Sequence, residues 1–391
     1  METVKRYYQD SYLKEAETRV VKVREEDGRL QVLLEETIFY PGGGGQAADK
    51  GTINGFAVEK IVSENGGLWH HLPDSAKIEQ DMPVVLKIDW PYRFYNMQQH
   101  SGQHLISYVL YKYGLQTVSV HLGEEYTLIE VEGGSPQEVL FDEVEMECNR
   151  LINAAFPIKT HWITPEEIDM YPLRRAAGDW DKLRIVEIDK IDYSACGGTH
   201  VKNSAEIGLI KIIGKEKIRG HLRIKAFIGK RAYTYFNQVH KIAENLKTEL
   251  PADLQNIESR MHQLKEDIRE LKKEKKHYQS LYINDLCQSL SSKKSEVVLY
   301  QLPEVPAEDL QMLAGCIKKR NDLNMFIVTG NRFCFVAADD YKEITAVFLK
   351  TYKDTFSVKG GGPPGFIQGT IGKFDVNTLT DVLKELTAGI K

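Results

Sequence analysis

His100-Ser-Gly-Gln-His104 and Cys196-Gly-Gly-Thr-His200 place four zinc-type side chains in two short motifs. In the first, the four-residue spacing sets both imidazoles on one face of a helix, one turn apart, where they can reach a single ion. In the second, the paired glycines let the backbone turn tightly enough for a thiolate and an imidazole to converge. Either half alone is a weak signal, since a lone H-x-x-x-H is commonly surface histidine. Together His100, His104, Cys196 and His200 make a candidate metal centre. Ser101 stands where a zinc protease carries its glutamate general base, so peptidase chemistry is not expected.

Outward from the first motif, apolar Leu105, Ile106, Val109 and Leu110 predict an amphipathic helix over 97–113 with both histidines in its first turns. A strand-rich stretch at 118–131, a helix at 135–156 opened by Pro136, and strands at 183–188, 207–213 and 222–228 complete an α+β domain over 91–230. Ahead of it, short β-type runs at 18–23, 30–34, 56–61 and 83–89 are separated by turn signals and predict a small N-terminal β-barrel over 1–90. One of its turns is unusual. Thr37-Ile-Phe-Tyr-Pro-Gly-Gly-Gly-Gly-Gln46 sets Gly42, Gly43, Gly44 and Gly45 before a polar side chain, which lets backbone approach a partner closely; the plainer reading is a flexible surface loop.

Downstream, 231–292 reads as a helical hairpin or coiled coil. Leu254, Ile257, Met261, Leu264, Ile268 and Leu271 form a short heptad seam whose partner is either the preceding helical segment or a second copy of the chain, and a homodimer through this segment or through the C-terminal domain is a further expectation. The run Leu271-Lys-Lys-Glu-Lys-Lys-His277 reads as a solvated helix face in preference to an RNA contact. Residues 293–391 form an α/β domain whose glycine-rich loop holds Gly360, Gly361 and Gly362. It lacks the Lys-Ser/Thr of a P-loop and a G-x-G-x-x-G after a strand, so ATP binding is not indicated.

With 391 residues and 42% apolar content, the chain is long enough for two or three globular domains. A net charge of −5 means that any affinity for nucleic acid must come from clustered cations. The densest cluster is Lys215, Lys217, Arg219, Arg223, Lys225, Lys230 and Arg231, with alternating charge on strand faces as the plainer account. Five scattered cysteines argue for a reducing compartment. The sequence shows neither a signal-peptide pattern nor a run of apolar residues long enough to span a membrane, so a cytoplasmic protein is expected.

The element at 37–46 with Asp49-Lys-Gly51, then His100 to His104, then Cys196 to His200, resembles the editing domain of alanyl-tRNA synthetase and its free-standing relatives, the AlaX proteins. The paired zinc signature also resembles the editing domain of threonyl-tRNA synthetase, and the element at 37–46 narrows the likeness to the alanyl branch. The helical segment and a C-terminal part similar to the DHH-associated domain extend it to the long form of AlaX. The resemblance implies a zinc-dependent aminoacyl-tRNA deacylase, with one zinc per chain and no aminoacylation domain. It would hydrolyse serine, or glycine, wrongly joined to alanine tRNA. Thr37 is the candidate for binding the serine hydroxyl, and Gln46 is expected beside the ester. A non-catalytic tRNA-binding protein with structural zinc, or an editor of another mischarged tRNA, are the alternatives. Four protein ligands make a closed tetrahedron, whereas catalytic zinc keeps one position open, and His200 is the candidate for the weakest ligand.

Overall fold

The computed structural model describes residues 2–26, 29–133, 141–175, 181–218, 220–291, 295–303 and 306–388. The chain is α+β and divides into two compact units, Met1–Asn245 and Leu246–Lys391. In the first unit, alternating apolar and polar residues build seven antiparallel strands. Their order is Phe56–Ala57, Gly51–Ile53, Pro83–Ile88, Glu15–Glu26, Arg29–Leu34, Gly67–Leu72, Lys60–Glu64. The strand Glu15–Glu26 pairs with Pro83–Ile88 through residues 15–19 and with Arg29–Leu34 from Val20 onward, with a register shift between Val20 and Lys22. Such a bulge bends a strand, and here it curls the sheet around Val20, Val32, Leu34, Phe39, Leu72 and Leu86. The single strand expected at 56–61 is two strands, at opposite ends of the sheet order.

Helix α1 (Trp90–Lys112) starts where the Asp89 side chain accepts a hydrogen bond from the Tyr92 amide (3.1 Å) and Pro91 presets the first turn. It begins seven residues before the expected 97, because these start signals precede the apolar stripe that marks the helix in the sequence. Helix α2 (Phe141–Asn153) follows; the expected helical start at 135–140, Pro136 included, lies outside the described residues. Both helices pack on a four-stranded antiparallel sheet ordered Gln116–Leu122, Thr127–Glu132, His221–Ile228, Ile210–Ile218. Leu105, Ile106, Val109, Leu151, Ile224 and Ile228 fill the core between them. A three-stranded sheet, Ile158–Ile163, Leu183–Ile188 and Asp192–Ala195, joins this core through Val186 and Ile188 and delivers the chain to Cys196. Helix α3 (Lys230–Glu249) comes next, with Tyr233, Phe236, Val239 and Ile242 exposed along it.

In the second unit, α4 (Ile257–Ser289) continues well past Lys275, since the Lys and Glu residues that interrupt the apolar seam are themselves good helix formers. Its C-terminal end packs through Ile283 and Cys287 on α5 (Ala307–Arg320). A five-stranded sheet is ordered Val297–Leu302, Asn324–Thr329, Arg332–Val336, Phe366–Thr370, Lys359–Gly361, with only the first pair parallel. Phe326, Phe333, Phe335 and Phe348 fill its core beside α6 (Glu343–Tyr352) and α7 (Val376–Ala388). The glycine-rich stretch expected as a loop contributes a strand: Gly360 pairs with Gly369 and Gly361 with Gln368. A Cβ on Gly360 would lie 2.1 Å from the Gln368 carbonyl oxygen, so here the missing side chain serves strand pairing. Among the described residues, no helix is long and apolar enough to cross a membrane.

Candidate metal centre

α1 carries an unusual load for a buried helix: Arg93, Asn96, Gln99, His100, Ser101, Gln103, His104 and Ser107 are all buried. Buried polar side chains need partners, and their partners define the site. The segment after Asp192–Ala195 turns back on α1, bringing Cys196 and His200 to His100 and His104. One ligand atom from each of the four lies within 4.8 Å of all the others. Cys196 Sγ is 3.2 Å from His100 Nε2 and 3.4 Å from His200 Nε2. The ligand–ligand edge of a tetrahedron with about 2.0 Å metal–nitrogen and about 2.3 Å metal–sulfur bonds is about 3.6 Å, so the group is close to ready-made.

Three details fit a cation here. Both ring nitrogens of His104 are buried without a hydrogen-bond partner among the described residues, a cost that a metal bond removes. Burial lowers His100 to about 3 and holds His104 and His200 well below the ordinary histidine range, so all three imidazoles are neutral donors. Burial also pushes the Cys196 thiol up, opposed by the Gly198 amide and the nearby Arg184 charge, so its thiolate needs a positive neighbour.

The glycine turn supplies the orienting group. Gly42 to Gly45 all take positive φ, and the turn closes through a Gly43–Gln46 bridge and the Tyr40 hydroxyl donating to Gly43 O at 2.9 Å. It delivers a buried Gln46, whose Oε1 lies 2.7 Å from His100 Nδ1 and accepts from the Thr199 amide at 3.1 Å, while Nε2 donates to Thr199 Oγ1 at 2.8 Å. With its Nδ1–H donated to Gln46, His100 presents Nε2 as the ligand atom. Ser101 Oγ does the same for His200 Nδ1 at 3.1 Å. Gly198 is required by this packing, because a Cβ there would lie 2.2 Å from His100 Cε1 and 2.8 Å from Gln46 Oε1.

A cavity of about 430 Å³ opens beside the group, lined by His100, His104 and Cys196 together with Gln103, Thr117, Ser119, Arg174, Arg175 and Ser194. Gln103 Nε2 donates to Ser107 Oγ at 2.7 Å. Arg174 is held by Asp192 and by Ser194 Oγ (2.6 Å), whereas Arg175 is exposed at the cavity. Arg184 donates to the Cys196 and Gly198 carbonyls at 2.8 and 2.9 Å and fixes the second motif. Sequence reading missed Arg174, Arg175 and Arg184: they belong to no motif, and Arg184 comes to the site on the strand Leu183–Ile188, whereas Arg174 is drawn in by Asp192 and Ser194 and by its amide donating to Tyr193 O.

Other expected site residues lie elsewhere. Thr37 is fully buried, with Oγ1 2.9 Å from His70 Nε2 and accepting from the Phe39 amide at 3.1 Å, and it does not line the cavity. Lys215, Lys217, Arg223 and Lys225 lie on the hairpin of Ile210–Ile218 and His221–Ile228. Arg223 and Lys225 each lie 3.4 Å from Glu216, while Lys217 is exposed and Lys215 sits over the Phe141 ring. Arg219 lies outside the described residues.

Known proteins share this arrangement of sequence. Residues 183–225 match the family described as the threonyl and alanyl tRNA synthetase second additional domain. The chain is 30% identical to alanyl-tRNA editing protein AlaX-L of Pyrococcus horikoshii over 93% of its own length and 94% of that protein. AlaX-M of the same organism is 34% identical over 58% of this chain and 98% of the relative. Alanyl-tRNA editing protein Aarsd1 of Danio rerio is 30% identical over 68% of each.

Proposed function

Because the chain belongs to the long-form AlaX family of alanyl-tRNA editing proteins, we propose that it is a trans-editing hydrolase that deacylates alanine tRNA wrongly charged with serine or glycine. The observation that carries this reading is the four-donor group at the wall of a polar cavity, with Gln46 fixing His100 from behind. His100, His104, Cys196 and His200 would hold one zinc, which would supply Lewis-acid polarisation to an ester already activated toward water. Arg175, exposed at the cavity beside the Asp192-held Arg174, receives the phosphate nearest the tRNA 3′ end. Gln103 has its amide nitrogen engaged by Ser107, which leaves its carbonyl oxygen to accept a serine hydroxyl in the cavity. Alanine leaves that acceptor unpaired, which gives discrimination in the needed direction. With its hydroxyl engaged by His70, Thr37 acts in this reading as a support of the glycine turn, and Gln46 acts on the ligand more than on the ester.

The finer layout follows the same reading. The curled sheet before Trp90 is the small barrel, and the five-stranded sheet with its helices is the DHH-associated domain. Lys215 and Lys217 extend the tRNA footprint, the helical segment pairs with a second copy of the chain, and the protein works in the cytoplasm. One observation favours a second reading: four protein donors close a tetrahedron in the manner of structural zinc, which would leave a tRNA-binding protein without catalysis.

Incubation of the full chain with seryl-tRNA for alanine, with Cys196→Ala as control, separates the two. Deacylation faster than buffer and lost in the variant is expected, and no acceleration removes the enzyme. A panel of other mischarged tRNAs tests the substrate. Bound zinc near one per chain should fall in His100→Ala/His104→Ala; unchanged metal would sink the ligand set.

A further inference from the structure

A second cavity, of about 520 Å³, lies on the first unit between the start of α1, the end of the strand His221–Ile228 and the first turns of α3. Its walls are aromatic: Tyr92 and Tyr95 from α1, Phe227 from the strand, and Tyr235 from α3, with the Phe227 and Tyr235 rings 5.2 Å apart. Lys230 and Arg231 stand at its edge. The Arg231 guanidinium lies 4.9 Å from the Tyr95 ring centre and donates to Gly123 O at 3.0 Å. Among the described residues, no carboxylate forms an ion pair with Lys230 or Arg231, and Asp89, the acid on the cavity wall, is engaged as the cap of α1. The Tyr95 hydroxyl is buried with no hydrogen-bond partner, and burial raises its pKa to about 12, so it stays a neutral donor. None of these side chains touches the metal group.

Aromatic walls and two cations without an ion-pair partner among the described residues together call for a planar ligand with negative charge. We infer that this cleft binds one unpaired nucleotide of an RNA strand, the base stacked among Tyr92, Tyr95, Phe227 and Tyr235 and the phosphate on Lys230 and Arg231. The inference rests on the tRNA reading above for the source of that nucleotide. Tyr95 and His100 are separated by about 7.5 Å of rise along α1, and Tyr92 and His104 by about 18 Å, on different faces of the helix, so a strand reaching both sites would pass around α1. The cleft would then anchor the substrate at a distance, contributing to binding and not to the chemical step.

The test is an anisotropy titration of the full-length protein with a fluorescein-labelled single-stranded RNA hexamer, comparing wild type with Tyr95→Ala, Tyr235→Ala and Lys230→Glu. Each variant should bind about fivefold to a hundredfold more weakly, and Tyr95→Phe, which keeps the ring, should hold most of the affinity. Lys230 is exposed and Tyr235 half-exposed, so their variants fold even if Tyr95→Ala does not. Unchanged RNA affinity in both overturns the proposal. So does a labelled hexaglutamate peptide that binds more tightly than the RNA and loses affinity in the same variants. Deacylation measured in parallel should show a raised KM with kcat unchanged in the variants. If wild type hydrolyses nothing yet the variants lose the RNA hexamer, the editing reading falls and the cleft stands; hydrolysis with unaltered hexamer binding means the reverse.

Discussion

Gln46 faces His100 from the side opposite the other ligands, and that position separates two roles a polar side chain can have near a metal. A residue that only touches substrate affects turnover and leaves metal affinity alone. A residue that fixes a ligand's tautomer affects the metal first, typically tenfold to a hundredfold. With Oε1 2.7 Å from His100 Nδ1, Gln46 is placed for the second role. Gln46→Ala should therefore weaken zinc binding by about tenfold to a hundredfold in competition with a chromophoric chelator. Affinity equal to wild type would return Gln46 to the ester. That these four donor side chains gather was legible because each pair is local, with helical spacing in one and a glycine-turned C-x-x-x-H in the other. The work of Gln46 was not legible, since its partners His100 and Thr199 are 54 and 153 residues away in the chain. For Thr37, nothing in its neighbourhood announces that His70 takes its hydroxyl. The arginines at the cavity carry no motif at all.

At the level of elements, α1 is held at its fixed distance from the glycine turn by one buried ion pair. Arg93 and Asp49 are both fully buried as side chains; Arg93 meets the carboxylate with Nε and Nη2 and donates to Ser11 O at 2.9 Å and Ile38 O at 2.6 Å. Asp49 also accepts from the Tyr40 amide at 2.6 Å, so the pair ties α1 to the entrance and exit of the turn that carries Gln46. Removing one partner strands the other charge in the core, at a cost of about 3–5 kcal/mol. Arg93→Met should lower the thermal midpoint of the first unit accordingly, and Arg93→Met/Asp49→Leu should recover part of the loss. Equal destabilisation in the single and double variants would mean that the backbone contacts of Arg93, and not its charge, secure the turn. Strand and helix positions in this unit were readable from alternation and from the apolar stripe of α1. Misreadings arose where a local signal competed with pattern: Asp89 and Pro91 start α1 ahead of its stripe, and Gly360 and Gly361 pair as a strand where their composition suggested a loop.

Over the molecule as a whole, α4 exposes an apolar stripe, as α3 does. On α4 the positions Met261, Leu264, Ile268, Leu271, Lys275, Tyr278 and Tyr282 alternate by three and four, which keeps them on one face of a gently supercoiled helix. Met261, Ile268, Leu271, Tyr278 and Tyr282 are exposed, at 42%, 51%, 63%, 67% and 59%, while Ile283 and Cys287 near the helix end are buried against α5. A 3.5-residue repeat is the period that suits a second helix of the same kind, and Lys275 in its middle costs stability while discriminating against other registers. We propose the same stripe in a second copy of the chain as its partner, with the exposed stripe of α3 as the alternative. The full chain should then sediment as a dimer at micromolar concentration, and Ile268→Asp/Leu271→Asp should shift it to monomer. Zinc content should not change, because His100, His104, Cys196 and His200 all belong to the first unit. A wild-type chain that stays monomeric across this range would show that the repeat serves a different partner, and a dimer untouched by the double substitution would place the contact elsewhere on the chain.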